Sequence, residues 1–316
     1  MIEKVVSVGL PIDEVLCIKK NRYLPSNPRE KMKRISIVTG IHGDELEGQY
    51  VCYELQRRLK ERLDDLKGIV DIYPAMNPLG IDSITRGIPA FDLDMNRLFP
   101  GNIDGNMTEY LAAEILNDVK GSDCVLDIHA SNIYLKEIPQ IRINEKQQEK
   151  LLPLAKKANV DLIWVHESST VLESTFAYSL NDKGTPTLVV EMGVGMRITK
   201  AYGDQLVDGI FQLMDELGIL PQPNVEIKKP MISNHSEDVY YLNAKVSGLF
   251  IPQAKHGKML KKGEIIGYVV DPLSSDCLDE IVSPIDGLLF TIREYPIVDE
   301  GSLIGRVLKE EACQYE

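Results

Sequence analysis

Apolar positions follow two different periods along the first 220 residues of the chain. Short runs rich in β-branched residues are typical of buried strands, and longer stretches with an apolar residue every three or four positions are typical of amphipathic helices. Strands are predicted at 35–39, 68–73, 124–128, 160–165 and 187–190. Helices are predicted at 44–62, 107–120, 145–158, 175–182 and 205–217. This alternation favours an α/β fold with a mixed, mostly parallel sheet and helices on both faces.

The pattern changes near residue 221. Pro221, Pro223 and Pro230 stand among polar residues, which suggests a linker. From Val239 onward, short apolar runs separated by glycines predict a small all-β barrel or sandwich. We therefore expect two domains, 1–225 and 226–316.

A long segment without a regular period, 79–106, separates two predicted elements of the first domain. A loop of this length in a compact domain is usually functional or disordered. Phe91, Leu98 and Phe99 argue against disorder, and the segment carries Arg86 and an Asn-Arg pair. The loop is therefore a candidate for function.

Composition narrows the class of protein further. Over 316 residues, 44% are hydrophobic and 26% are charged, as in ordinary globular domains. A net charge of -13 argues against non-specific binding to nucleic acid or to an anionic membrane. No run approaches the ~20 apolar residues of a membrane span, and the first ten residues do not form a signal peptide. We expect a cytoplasmic protein, and leave open whether it forms a homo-oligomer.

The five cysteines are scattered and never form a CxxC motif. This spacing predicts neither a disulfide framework nor a thiolate zinc site. Buried, reduced thiols are the expected state.

Polar residues follow the ends of several predicted strands. His42, Asn77, His129 and Glu191 each fall just after the carboxyl end of a predicted strand. In a parallel sheet those ends lie along one edge. These four residues are therefore expected to converge. His42 and Glu45 are three residues apart and could bind one zinc ion. When these residues are considered alone, however, Glu45 is explained equally well as an acidic residue at a helix start, where it interacts favourably with the positive end of the helix dipole.

The full set of candidate residues resembles a known family. In chain order the set is His42, Glu45, Arg86, Asn96, Arg97, His129 and Glu191. This order resembles the zinc carboxypeptidase fold, and within it most closely the succinylglutamate desuccinylase and aspartoacylase family. The resemblance extends over nearly the whole chain, including the β-rich second domain.

The resemblance implies a role for each residue. His42, Glu45 and His129 match the ligands of one Zn²⁺ per chain, which would leave a fourth position for water. Glu191 matches the general base, and Arg86 matches the residue that polarises the scissile carbonyl.

The same resemblance extends to substrate binding. Asn96 and Arg97 match the pair that binds a substrate carboxylate, for which a guanidinium fork is well suited. The second domain is expected to shape the cleft and limit substrate size. Asp127, two residues before His129, is expected on the opposite face of its strand with a structural role. His166 is expected in an ordinary polar turn.

The implied function is a zinc-dependent amidohydrolase that removes the acyl group from a small N-acylated amino acid. A metallocarboxypeptidase or a peptidoglycan-peptide amidase would use the same ligands and remains an alternative. A non-catalytic binding protein on the same scaffold would lack a ligand or the base, and here all of them are present. The identities of the acyl group and the amino acid stay open.

Overall fold

A computed structural model describes residues 1–166, 173–221, 225–233 and 236–312. The helices are α1 Glu47–Lys60, α2 Pro78–Ser83, α3 Met107–Val119, α4 Gln148–Ala155, α5 Phe176–Asp182 and α6 Lys200–Glu216. The first strands are β1 Ile2–Gly9, β2 Val15–Tyr23, β3 Arg34–Thr39, β4 Ile69–Tyr73, β5 Cys124–His129, β6 Leu135–Asn144, β7 Leu162–His166 and β8 Thr187–Gly193. The later strands are β9 Met231–Ser233, β10 Val239–Asn243, β11 Gly248–Pro252, β12 Met259–Leu260, β13 Ile265–Val270, β14 Cys277–Val282, β15 Gly287–Arg293, β16 Ile297–Val298 and β17 Leu303–Lys309.

The main sheet is mixed, with a parallel centre. Its strands lie in the order β1-β2-β4-β3-β5-β8-β6-β15-β17-β10, and β7 pairs with both β6 and β9. β3 is parallel to β4 and β5, and β5 is parallel to β8. β11, β13, β14 and β16 form a second, antiparallel sheet in the C-terminal part. The predicted fold class is confirmed.

Helices cover both faces of the central strands. Leu55 of α1 and Ile210 of α6 pack in one cluster with Ile37 of β3. Ile115 of α3 packs on the other face, in a second cluster with Val38. All five side chains are fully buried, and burying each one stabilises the fold by roughly 1.5–3 kcal/mol.

The ten-residue strand β6 was not predicted from the sequence. β6 contains Pro139 and three charged residues, which interrupt the alternation of apolar and polar positions that would predict a strand. The pairing of β6 with β8 shifts register between Glu137 and Gln140. Proline within a sheet is tolerated at such irregularities, because it has no N–H to donate.

The two predicted domains are joined by strands and by side chains. Residues 291–293 of β15 pair with residues 135–137 of β6, and β9 pairs with β7. A buried cluster includes Ile138 and Trp164 together with Leu288 and Phe290. The C-terminal strands therefore extend the sheet that carries the cleft described below.

Cys52 and Cys124 are free and buried, as expected. Cys17 and Cys277 are also free, but Cys17 is half-buried and Cys277 is exposed, so the expectation of burial was wrong for Cys277. Cys313 and Pro223 lie outside the described residues. Within the ranges given above, no helix is long and apolar enough to cross a membrane.

Candidate active site

The turn between β3 and α1 carries two of the predicted metal ligands. It begins at Gly40, whose φ of +72° is a left-handed conformation that favours glycine. At Gly43, a Cβ atom would lie 2.0 Å from the carbonyl carbon of Gly80. The Gly43 N–H donates to the carbonyl oxygen of Arg86 at 3.2 Å. Gly40 allows the sharp turn after β3, and Gly43 allows the close approach to α2. Together they position His42 and Glu45.

His42, Glu45 and His129 form a buried cluster that could hold a metal ion. One ligand atom from each residue lies within 4.8 Å of the other two. The Nδ1 atoms of His42 and His129 lie 2.7 and 2.9 Å from the two oxygens of Glu45. Among the described residues, Nδ1 of His42 has no partner with hydrogen-bond geometry. Nδ1 of His129, by contrast, is within hydrogen-bond distance of Glu45. Two imidazole nitrogens and a carboxylate that converge in this way fit a site for a cation.

The outer nitrogens of both histidines face carboxylates. Nε2 of His42 lies 3.0 Å from Oδ1 of Asp94, and Nε2 of His129 lies 3.1 Å from Oδ1 of Asp127. Histidines that ligate metals usually have such a partner, which fixes the ring orientation and raises its basicity. The expectation for Asp127 was therefore wrong, because residues two apart in a strand share a face.

The opposite charges in the cluster shift the pKa values of its carboxylate and its histidines. Burial alone would raise the pKa of Glu45, but His42 and His129 bring it well below its usual range. Burial alone would lower the pKa of His42, but the charge of Glu45 and the bond to Asp94 raise it above its ordinary value. Without metal, the cluster therefore favours protonated histidines, and a metal ion would displace those protons.

Arg86 lies between the carboxylates of Glu45 and Asp94. Its Nη1 donates to Oε1 of Glu45 at 2.7 Å, and its Nε lies 3.6 Å from Oδ2 of Asp94. The side chain is still 41% exposed. Its guanidinium is thus oriented by Glu45 and Asp94 and remains accessible from the cleft.

Asn96 and Arg97 lie on a short 3₁₀ turn that Asp94 caps. The Asn96 N–H donates to Oδ1 of Asp94 at 2.8 Å. Oδ1 of Asn96 accepts a hydrogen bond from the Phe176 N–H at 2.9 Å. Arg97 donates to the carbonyl oxygen of Asn96 at 2.9 Å, and in the described part of the chain its guanidinium has no carboxylate partner. Its positive charge is therefore available to an anion.

Glu191 lies on β8, the neighbour of the strand β5 that carries His129. The two residues are direct partners in the β5–β8 register. Burial raises the pKa of Glu191 to about 7, partly offset by Arg142 and reinforced by Glu137. Nη1 of Arg142 lies 3.3 Å from Oε1 of Glu191. A carboxylate with this pKa can take up and release a proton near neutral pH.

One cleft of about 640 Å³ brings all seven predicted site residues together. They are His42, Glu45, Arg86, Asn96, Arg97, His129 and Glu191. Asn77, the other strand-end candidate, does not line this cleft. Its side chain caps α2 by accepting from the Gly80 N–H and donates to the carbonyl of Gly87.

The cleft also has lining residues that the sequence analysis missed. Glu137 and Arg142 come from the unpredicted strand β6, and Arg306 comes from β17 in the C-terminal part. Tyr178 and His166 also line it. His166 is the last residue of β7, so the expectation of an ordinary turn there was wrong. The neighbouring Glu167 lies outside the described residues. For Glu137 and Arg142, the available signal was a charged residue within an alternating strand pattern. Pro139 interrupts that pattern in β6.

Comparison with known proteins identifies the family of the chain. The family model for the succinylglutamate desuccinylase/aspartoacylase catalytic domain matches residues 31–217. An N-alpha-acetyl-L-2,4-diaminobutyric acid deacetylase from Halomonas elongata is 28% identical over 281 residues, which cover 84% of this chain and 79% of the relative.

Solved structures share the fold over almost the whole chain. A succinylglutamate desuccinylase/aspartoacylase from Rhodobacter sphaeroides superposes with a TM-score of 0.77 at 22% identity, covering 93% of this chain and 90% of the other. The product-bound ectoine utilization protein from Ruegeria pomeroyi gives 0.76 at 19% identity, covering 93% and 89%. Since the family model matches more than half of the sequence, the chain belongs to the succinylglutamate desuccinylase/aspartoacylase family.

Proposed function

We propose that the protein is a zinc-dependent amidohydrolase that removes the acyl group from a small N-acylated amino acid. The observation that carries this proposal is the placement of Glu191 beside a buried His42–Glu45–His129 cluster in one cleft. A site of this kind combines metal ligands with a separate proton acceptor, as metal-assisted hydrolysis requires.

The residues present fit a zinc ion. Two imidazoles and one carboxylate form the ligand set of several catalytic zinc sites, which keep a fourth position open. Asp94 and Asp127 would hold the outer nitrogens of the two histidines. When bound, one zinc ion would polarise a carbonyl and lower the pKa of a water molecule toward ~7.

Glu191 would act on protons in this reaction. As a general base it accepts a proton from the attacking water at a carboxylate oxygen, and it then donates that proton to the leaving nitrogen. The pKa of about 7 that burial gives this side chain supports both steps near neutral pH.

The two arginines would orient the substrate. Arg86 is held by Glu45 and Asp94 at one rim of the cluster, where its exposed N–H groups could stabilise negative charge on the scissile carbonyl oxygen. Arg97 would bind the substrate α-carboxylate, since it has no carboxylate partner of its own in the described residues. Asn96 would complete that subsite from the same turn.

The dimensions of the cleft support a small substrate. Its volume of about 640 Å³ lies within the range of small-molecule pockets. We assign residues 1–225 to the hydrolase domain and 226–316 to a domain that shapes the cleft, where Arg306 forms part of the wall. The relative from Halomonas elongata supports the same substrate class, because its name describes a deacetylase of an N-acetylated amino acid.

A substrate screen tests this function. Zinc-loaded protein would be incubated with N-acetyl and N-succinyl amino acids, and in parallel with dipeptides and tripeptides. We expect release of free amino acid from the N-acyl compounds. Hydrolysis of peptides alone would instead indicate a metallocarboxypeptidase or a peptidoglycan-peptide amidase.

A further inference from the structure

Four charged residues form a chain along one wall of the cleft, and we call it the β6 ion chain: Glu191, Arg142, Glu137 and Arg306. Nη1 of Arg142 lies 3.3 Å from Glu191, and its Nη2 lies 2.9 and 2.8 Å from the two oxygens of Glu137. Nη1 of Arg306 donates to Glu137 at 2.7 Å. The side chain of Glu137 is only 1% exposed, and both guanidinium groups contact this buried carboxylate.

Aromatic packing fixes the two guanidinium groups. Trp164, the only tryptophan of the chain, has the Cζ atoms of Arg142 and Arg306 at 5.7 and 5.8 Å from its ring centroid. Arg306 also lies 5.4 Å from the ring centroid of Tyr241. Arginines that pack on an aromatic ring and also pair with a buried carboxylate lose much of their freedom to rotate. The β6 ion chain is thus a rigid support rather than a set of mobile surface charges.

The strand register places Arg142 beside the proposed base. Arg142 pairs with Val189, and Gln140 pairs with Glu191, in the antiparallel β6–β8 ladder. Val189 and Glu191 share a face of β8 because they are two residues apart. Within the described ranges, Arg142 is the ion-pair partner of Glu191, and it contacts a single oxygen of that carboxylate.

We propose that Arg142 is a positioning residue for Glu191. It holds one carboxylate oxygen and leaves the other to exchange protons with water and with the leaving nitrogen. Glu137 and Arg306 in turn hold Arg142, so β17 of the C-terminal part supports the base through the β6 ion chain. This assignment rests on the proposed amidohydrolase function.

A double-mutant cycle with Arg142→Gln and Glu191→Gln tests the assignment. We expect Arg142→Gln to lower kcat by about 10–100-fold, the scale on which misplacing a catalytic group acts, with KM changed by less than about twofold. In the Glu191→Gln background the same substitution should cost less than about twofold, because the two residues act as one unit. Arg142→Lys keeps the charge without the fork and should give an intermediate kcat.

Arg22→Gln is the matched control. Arg22 donates to both oxygens of the buried Asp71 at 2.7 and 2.6 Å, and it is 23% exposed, compared with 27% for Arg142. It does not line the cleft. Arg22→Gln should lower the melting temperature with little effect on kcat, because it breaks a similar ion pair away from Glu191.

Three outcomes would overturn the assignment. The first is an equal loss from Arg142→Gln in both backgrounds. The second is a rise in KM without a fall in kcat, which would make Arg142 a substrate-binding residue. The third is an equal fall in kcat in Arg142→Gln and Arg22→Gln when the two variants lose the same amount of melting temperature. A wild-type protein that hydrolyses no N-acyl amino acid would instead overturn the proposed function, and this assignment with it.

Discussion

His129 and Glu191 are direct partners across the parallel strands β5 and β8. The main chain itself therefore sets the spacing between a candidate metal ligand and the proposed base. The other ligands, His42 and Glu45, come from the turn after β3, which pairs with β5 on its other side. Three neighbouring parallel strands thus bring the candidate metal ligands and the proposed base to one edge of the sheet, where open α/β sheets bind small molecules.

The first prediction concerns the metal. Purified protein should contain about one zinc per chain, and His42→Ala or His129→Ala should lose most of it, because three ligands are needed to hold the ion. Elemental analysis after gel filtration measures the content. A chelator should also lower the melting temperature of the wild type, since an ion that binds only the folded state stabilises it. Full zinc occupancy in both variants would show that the ligands are assigned incorrectly.

The second prediction concerns Asp94. Asp94→Asn should weaken zinc binding by about 10–100-fold, the usual effect of removing a carboxylate behind a histidine ligand. Competition with a chromogenic chelator gives the affinity. Asp92→Asn is the matched control, because Asp92 is an exposed residue of the same loop. If both variants bound zinc equally well, Asp94 would not support His42.

The third prediction concerns Arg97. Arg97→Ala should reduce kcat/KM for substrates with a free α-carboxylate, because a charge-assisted hydrogen bond to the substrate is worth roughly 1.5–3 kcal/mol. The same substrates with an amidated carboxylate should lose much less. Steady-state kinetics on the matched pair measures the difference, and equal losses would indicate that Arg97 has only a structural role.

The fourth prediction concerns the turn that carries His42 and Glu45. Gly43→Ala should destabilise the fold by about 1–3 kcal/mol and reduce zinc content, because its Cβ would collide with the backbone of Gly80. Gly9→Ala has open space around the new Cβ and should change stability by less than about 0.5 kcal/mol. Chemical denaturation compares the two. A Gly43 variant as stable as the wild type would contradict the tight packing of this turn.

Sequence reasoning succeeded where a regular period or a topological rule applied. The strands that end near His42, His129 and Glu191 have clean apolar runs, and the edge rule for parallel sheets then placed these residues together. β6 was missed because Pro139 interrupts its period. Its Arg142 therefore remained unassigned.

Contacts across long stretches of sequence were not predictable in the same way. Asp94 lies in a loop without periodicity, so its contact with His42 has no signal in the sequence. Arg306 reaches Glu137 over 169 positions, through strands whose order only the structure defines. Asp127 is a different case, since the alternation of side chains along a strand predicts the observed face and was misapplied.

The most direct test of the account is the substitution Glu191→Gln, measured for kcat and zinc content on the same preparation. This change keeps the size of the side chain but removes its basic oxygen. We expect zinc content and melting temperature close to those of the wild type, and a fall in kcat of about 10²–10⁴-fold, the usual contribution of general acid–base catalysis. A variant that kept its activity, or one that lost its zinc together with its activity, would contradict the assignment of Glu191 as the base.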